Sequence, residues 1–214
     1  EGDTVLTKGD SRTTNELAIS HRFSAGRFAT TITGGITKGV FGTFILPGAS
    51  LTMKLEDEGS ALLFGSANRS MRQPSFTDLY YNIGGAQGSI DLQPEWSDNF
   101  ETGIRSALEI NEKLSLSFEQ ALFIRQGHNL IDWVRFSGED TTRATNLREV
   151  TFTGTETSLK LKSVNGNYIK ANYTSMKASE SSSGFESNYV LDFLKHQLNL
   201  RALLALPREI NLSF

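Results

Sequence analysis

Apolar and polar residues alternate along almost the whole chain. Leu17, Ile19 and Phe23 share one face of an extended segment, opposite Glu16, Ser20 and Arg22. Phe28, Ile32 and Ile36 then alternate with Thr31, Thr33 and Thr37, and Leu51, Met53 and Leu55 oppose Thr52, Lys54 and Glu56. Further on, Leu114, Leu116, Phe118, Leu122 and Ile124 oppose Ser115, Ser117, Glu119 and Arg125, and Leu159 and Leu161 oppose Glu156, Lys160 and Lys162. A period of two places successive side chains on opposite sides of a strand, so these segments are predicted strands with one face in an apolar medium. Ser60 to Met71 is not oriented by its pattern, because Leu62 and Phe64 fall on one face and Ala61, Leu63 and Ala67 on the other.

The connections alternate too. Short turns are predicted near Ala25, Glu58, Glu112, Asn165 and Pro207, and longer connections near Gly42, Gly85, Gly138 and Ser182. Asn165-Gly166 is a hairpin signal, since both residues accept positive φ. A second long connection is predicted from about Arg135 to Thr145. Strands of about 10–16 residues exceed the roughly 5–6 typical of soluble sheets. Tight turns on one rim and elaborate loops on the other are what an antiparallel meander crossing a membrane produces. The expected fold is therefore all-β, an up-and-down antiparallel meander forming part of a transmembrane β-barrel. Pairing is expected only between sequential neighbours, with Ala25, Glu58, Glu112 and Asn165 at one rim. Lys160, Lys162, Lys170, Lys195 and Arg201 should share the face opposite Leu159, Leu161, Ile169, Leu194 and Leu200. A soluble β-sandwich would show the same alternation with shorter strands and no loop asymmetry.

The stretch Arg72 to Trp96 interrupts the alternation. It holds two of the 4 prolines, Pro74 and Pro94, and a Gly-rich run from Gly84 to Gly88. Pro removes a ladder donor and Gly weakens a strand interior, so a long loop is expected here, and loops of this length are usually functional. Its residues Arg72-x-Pro74-Ser75-Phe76-Thr77-Asp78-Leu79-Tyr80-Tyr81, then Leu92-x-Pro94-Glu95, then Phe100-Glu101-x-Gly103, resemble the barrel of TonB-dependent outer-membrane receptors. Leu130-Ile131-Asp132-Trp133 and the strand Asn146 to Glu156 extend the resemblance in the same order. Ser89 stands where the family often has Asn, and Thr155 where it often has Val; neither is a Gly or Pro that sets backbone shape. The resemblance implies a receptor whose barrel closes with about 22 strands, of which this chain holds fewer than half. It also implies an N-terminal plug domain and final strands outside residues 1–214, and residence in the bacterial outer membrane.

Composition narrows the classes further. A net charge of −3, without a Lys/Arg cluster, gives no attraction to nucleic acid. The chain has no cysteine, which excludes disulfides and thiolate chemistry. No run of about 18 apolar residues is present for a transmembrane helix, a finding that leaves membrane strands open. Glu1-Gly2-Asp3-Thr4 is not an export signal, so any such signal is expected upstream.

Candidate chemistry is that of binding. Arg72, Asp78, Tyr80, Tyr81, Glu95, Glu101 and Glu156 are the polar or aromatic residues of the matched motifs, and are candidate contacts to substrate or plug; the plainer reading makes them loop anchors. Phe76, Leu79 and Tyr80 are expected to fold back and anchor the loop, leaving Gly84 to Gly88 exposed. Trp96, Phe100, Trp133 and Phe136, with Phe23 and Phe28, suit aromatic girdles at the two membrane interfaces. No catalytic, cofactor or metal residue is expected: His21 and His196 have the parity of apolar faces, and His128 lacks a G-x-S-x-G or H-E-x-x-H context. The expected function is uptake of a scarce nutrient, siderophore-iron, cobalamin or a similar small molecule or metal chelate. By the resemblance, its partners are outer-membrane lipid and, through the missing plug, the TonB energy-coupling complex. The alternative is a passive porin or a structural barrel without a plug. Tyr80-Tyr81 leans toward cobalamin or catecholate substrates by resemblance.

Overall fold

The computed structural model describes residues 11–56, 60–179, 184–206 and 210–213. The predicted turns at Glu58 and Pro207, and the middle of the Ser-rich connection at Ser182, lie outside them. The strands are β1 (Asn15–Ala25), β2 (Phe28–Gly39), β3 (Gly42–Lys54), β4 (Ala61–Arg72), β5 (Asn82–Ile83), β6 (Ala86–Gln87), β7 (Glu95–Asn111), β8 (Leu114–Phe136), β9 (Thr142–Ser163), β10 (Tyr168–Ala178), β11 (Phe185–Ser187), β12 (His196–Leu206) and β13 (Ile210–Ser213), with a short helix α1 (Phe76–Tyr80). They form one sheet in the order β1-β2-β3-β4-β7-β8-β9-β10-β12-β13, paired antiparallel throughout that path. The meander is the predicted one, and the turns after Ala25, around Glu112 and at Asn165 share a rim.

Strict pairing between sequential neighbours is not observed. β6 makes a short parallel pair with β9, Ala86 opposite Thr142 and Gln87 opposite Arg143, and β11 pairs with β8. Both exceptions belong to connecting segments that fold back onto the sheet and satisfy backbone groups its main path leaves open. The connection near Gly42 is also tighter than expected: β2 runs to Gly39 and turns over Val40 and Phe41 directly into β3.

The long connection predicted from Arg135 to Thr145 is mostly strand. β8 has 23 residues and β9 has 22, and both run well past β7 and β10 as a projecting hairpin. Alternation fails there because both faces are covered, and such strands read as unbroken apolar runs. Leu130 and Val134 are buried with Leu147, Val150 and Phe152, while Ile131 and Ala144 are buried with Leu79 and Leu92. Asn129, with φ of 52°, turns the strand over at this point. Leu130 consequently lies against Gly127, on the same face. Asn accepts this left-handed conformation more readily than most residues.

Below the projection the sheet is one layer. Leu17, Ile36 and Ile45 stand in one row of the ladder, and Phe100 and Ile124 in another. On this face Leu122 is 57% and Leu200 66% exposed, in company with Ile19, Ile32, Leu51 and Ile169. So large an uncovered apolar surface is foreign to a soluble monomer, and no second sheet lies over it among the described residues. It is the lipid face of a barrel wall. The unoriented strand is settled by its neighbours: Leu63 pairs with Met53 and Ile104, so Leu63, Gly65 and Ala67 face outward and Leu62, Phe64, Ser66 and Asn68 inward. Lys160, Lys170 and Arg201 share one row on the opposite, polar face, with Leu159, Leu161, Ile169 and Leu200 outward as expected. Leu194 and Lys195 precede β12 and stand outside the alternation.

This sidedness makes a direct prediction. Leu122→Arg, on the outward face, is expected to destabilise the wall by about 2–4 kcal/mol in lipid if it sits near the bilayer midplane. Ser117→Arg, on the polar face, is expected to change stability by no more than about 0.5 kcal/mol. Urea unfolding of the two receptor variants in lipid vesicles measures both.

Candidate functional site

At the elaborate rim, the segment from Arg72 to Trp96 is built around α1. Ser75 caps the helix: its hydroxyl accepts from the Asp78 N–H at 3.0 Å, and the Asp78 carboxylate accepts from the Ser75 N–H at 2.9 Å. This reciprocal capping box, legible as Ser-x-x-Asp, gives the expected loop a turn of helix. The same carboxylate accepts from Arg72 at 3.1 Å and from the Trp133 indole N–H at 3.2 Å. Arg72 also donates to both oxygens of Glu95, at 2.9 and 3.2 Å, and Glu95 accepts the Ile131 N–H at 2.7 Å. The end of β4, the helix, the start of β7 and the β8 projection are thus joined through three charged side chains. Burial disfavours the charged form of Asp78, yet the Ser75 N–H and hydroxyl, the Trp133 indole and the Arg72 guanidinium together hold its pKa below the usual carboxylate value.

The apolar half of the anchor differs from expectation. Leu79 is buried with Leu92, Ile131 and Ala144, but Phe76 is half-buried against Arg12 and Tyr80 is exposed, stacked on Phe76. Tyr81 meets the Trp133 ring edge-on. Gly84 and Gly85, both exposed and at positive φ, make the turn of the small β5–β6 hairpin, whose second strand lies along β9. Gly88 is not a loose position. A Cβ there would stand 2.7 Å from the Asp78 carbonyl oxygen, so the backbone closes against α1.

Glu101 and Glu156 lie apart from this network. Both face a groove of about 400 Å³ on the polar side of the sheet, together with Asn68, Asn99, Arg125 and Phe193. Among the candidate residues, the fold therefore gathers Arg72, Asp78 and Glu95, brings Tyr80 and Tyr81 beside them, and leaves Glu101 and Glu156 to the groove. Of the four rim aromatics, Phe100 and Trp96 keep outward parity, with Trp96 stacked between the Arg69 guanidinium at 4.1 Å and the His128 ring at 3.8 Å. Trp133 and Phe136 belong instead to loop bases, Phe136 against Phe185. Among the described residues no three His, Asp or Glu side chains gather as a metal-holding set.

The family profile described as TonB dependent receptor-like, beta-barrel, matches residues 9–206. The chain belongs to that family. It is a segment of an outer-membrane barrel wall. Solved structures share the fold at low identity. The siderophore receptor PirA from Pseudomonas aeruginosa matches 94% of this chain and 36% of its own, at 14% identity and a TM-score of 0.66. PirA from Acinetobacter baumannii matches 94% and 32%, at 16% identity and a TM-score of 0.69. The FrpB iron transporter from Neisseria meningitidis, F3-3 variant, matches 94% and 32%, at 12% identity and a TM-score of 0.61. The chain thus spans about a third of the length of these structures. A search of curated proteins finds no match.

Proposed function

We propose that this chain forms the wall and outer loops of a receptor for energy-coupled uptake of a scarce metal chelate, siderophore-iron being the first candidate and cobalamin the second. The observation that carries this reading is the combination of a lipid-facing apolar wall with a rigidly clamped loop segment at one rim. A passive pore needs the wall but not the clamp. Tyr80 and Tyr81, held exposed beside the Arg72–Asp78–Glu95 network, offer aromatic faces and hydroxyls to a substrate, and Glu101 and Glu156 offer polar contacts on the inner wall to substrate or plug. The similar structures, a siderophore receptor and an iron transporter by description, support iron over other cargo. On this reading a plug and the remaining strands complete the protein, the plug meets the TonB complex, and passage is gated with no covalent chemistry.

Uptake of radioactive iron by cells carrying the intact receptor as their sole route tests it. Accumulation of a ferric siderophore is expected to fall at least tenfold when TonB is removed. Uptake that proceeds equally without TonB, and passes unrelated solutes of similar size, would establish a passive pore instead.

A further inference from the structure

The polar face carries a band of positive charge. Lys160 of β9, Lys170 of β10 and Arg201 of β12 stand directly opposite one another in three neighbouring strands. Side chains paired in this way have Cβ atoms about 4.5–5.5 Å apart, so the three cations spring from roughly 11 Å of wall. Like charges placed directly opposite destabilise a sheet. A polar face does not require them, because the same strands turn neutral residues inward one row nearer the outer rim, namely Ser158, Asn172 and Asn199. Against a low-dielectric wall such a row focuses a positive potential into the lumen. It lies close to the turn at Asn165, on the rim of short turns that marks the periplasmic side.

The wall supplies no ion-pair partner to this row. Among the described residues none of the three cations takes part in an ion pair, although Arg69, Arg72, Arg105, Arg135 and Arg143 all do. Glu119, the carboxylate that feels the charge of Lys170, gives both its oxygens to Arg105, at 2.6 and 3.0 Å. Glu156 is four residues from Lys160 along β9, a rise of about 13 Å. Lys162, one row nearer the turns, differs, since it shares a hollow of about 260 Å³ with Glu109 and Glu112. Lys160 is steadied by an aromatic face instead: its ammonium stands 4.7 Å from the centroid of the Tyr168 ring. A ring face holds a cation without neutralising it.

We propose that Lys160, Lys170 and Arg201 are a docking row for an acidic face of the plug, at the periplasmic end of the inner wall. The row rests on the reading that a plug completes the receptor. Carboxylates brought to its height offset the repulsion among the three cations, and charge of opposite sign fixes the register of the two surfaces. A carbodiimide, which joins an ammonium and a touching carboxylate as an amide, tests this in the intact receptor. Mass spectrometry of the digest is expected to show Lys160 or Lys170 joined to an Asp or Glu of the plug. Lys170→Glu is expected to lower the Lys160 yield about fivefold, and Lys170→Arg, which keeps the charge and cannot itself be joined, to leave it within about twofold. Amides to wall carboxylates such as Glu109 or Glu119 alone, or none at all, overturn the docking row. A Lys160 yield unmoved by Lys170→Glu overturns it as well. The same reaction run with added citrate separates a free anion from a docked segment: citrate amides in place of plug amides would mark a station for anionic cargo and overturn the proposal. Iron uptake in the parent keeps the two failures apart. TonB-dependent uptake without plug amides sinks the docking row alone, whereas uptake that does not need TonB sinks the reading beneath it.

Discussion

Gly154→Val is expected to prevent assembly of the barrel wall. Gly154 lies in β9 between the Phe123 ring and β10, and a Cβ there would collide with that ring and stand 2.5 Å from the Ser175 carbonyl oxygen. The ring could rotate aside. The carbonyl belongs to the β9–β10 ladder, so relief requires the strands to part. Overpacking that displaces backbone costs on the order of 3 kcal/mol or more, a large share of a typical folding free energy. Gly65→Ala is the matched control: its Cβ would meet nothing nearer than the Glu101 carbonyl oxygen at 3.6 Å, an ordinary contact. The fraction of receptor that resists unfolding in cold detergent should drop sharply for Gly154→Val and stay at the parent level for Gly65→Ala. A parent-like fraction for Gly154→Val would show that the ladder yields at this point.

Asp78→Ala is expected to release the loop segment while leaving the wall assembled. The substitution strips acceptors from the Ser75 N–H, the Trp133 indole and Arg72 together, and a hydrogen bond to a charged group contributes about 1.5–3 kcal/mol. Arg72 retains Glu95, and Leu79 retains its apolar seat, so the net loss is expected at about 2–4 kcal/mol, confined to this segment. Limited proteolysis should cut the parent only near Gly84 and Gly85 and the variant also near Leu79. The pH dependence follows from the sign of the Asp78 shift. Its folded pKa is depressed, so its contribution is complete above the unfolded value, near 3.9, and is lost as pH falls through the lower folded value. The parent should therefore resist cutting at Leu79 at neutral pH and lose that resistance only below about pH 4. The Asp78→Ala variant should be cut there at every pH. Equal resistance in the two proteins would show that Leu79 and Leu92 alone hold the loop.

The alternation of Leu17, Ile19 and Phe23, or of Leu159 and Leu161 with Lys160 and Lys162, was enough to establish strands, their sidedness and a barrel wall. That signal is local: a strand's geometry carries side chains to opposite faces every second residue, whatever its neighbours do. The capping box of Ser75 and Asp78 is local in the same sense, yet the stretch was expected as loop and the helix it caps was not. The matched motifs pointed to the right family and marked Arg72, Asp78 and Glu95, without showing that these residues bind one another. Where the pattern misled, a second layer was the cause. The β8–β9 projection lost its alternation because Leu79 of α1 and Leu92 cover one side and Phe185, Val190, Leu191 and Phe193 the other, and the orientation of β4 rested on its partners β3 and β7. Asp132 accepts hydrogen bonds from Ser187 and Tyr189, 55 and 57 positions away. Sequence by itself determined where the regularly alternating strands run and which of their faces meets lipid, since both depend on backbone period and side-chain polarity. Only the tertiary structure decided which charged groups meet at the rim and that Val190, Leu191 and Phe193 pack on the β8–β9 projection, because those contacts arise between segments that the chain brings together only on folding.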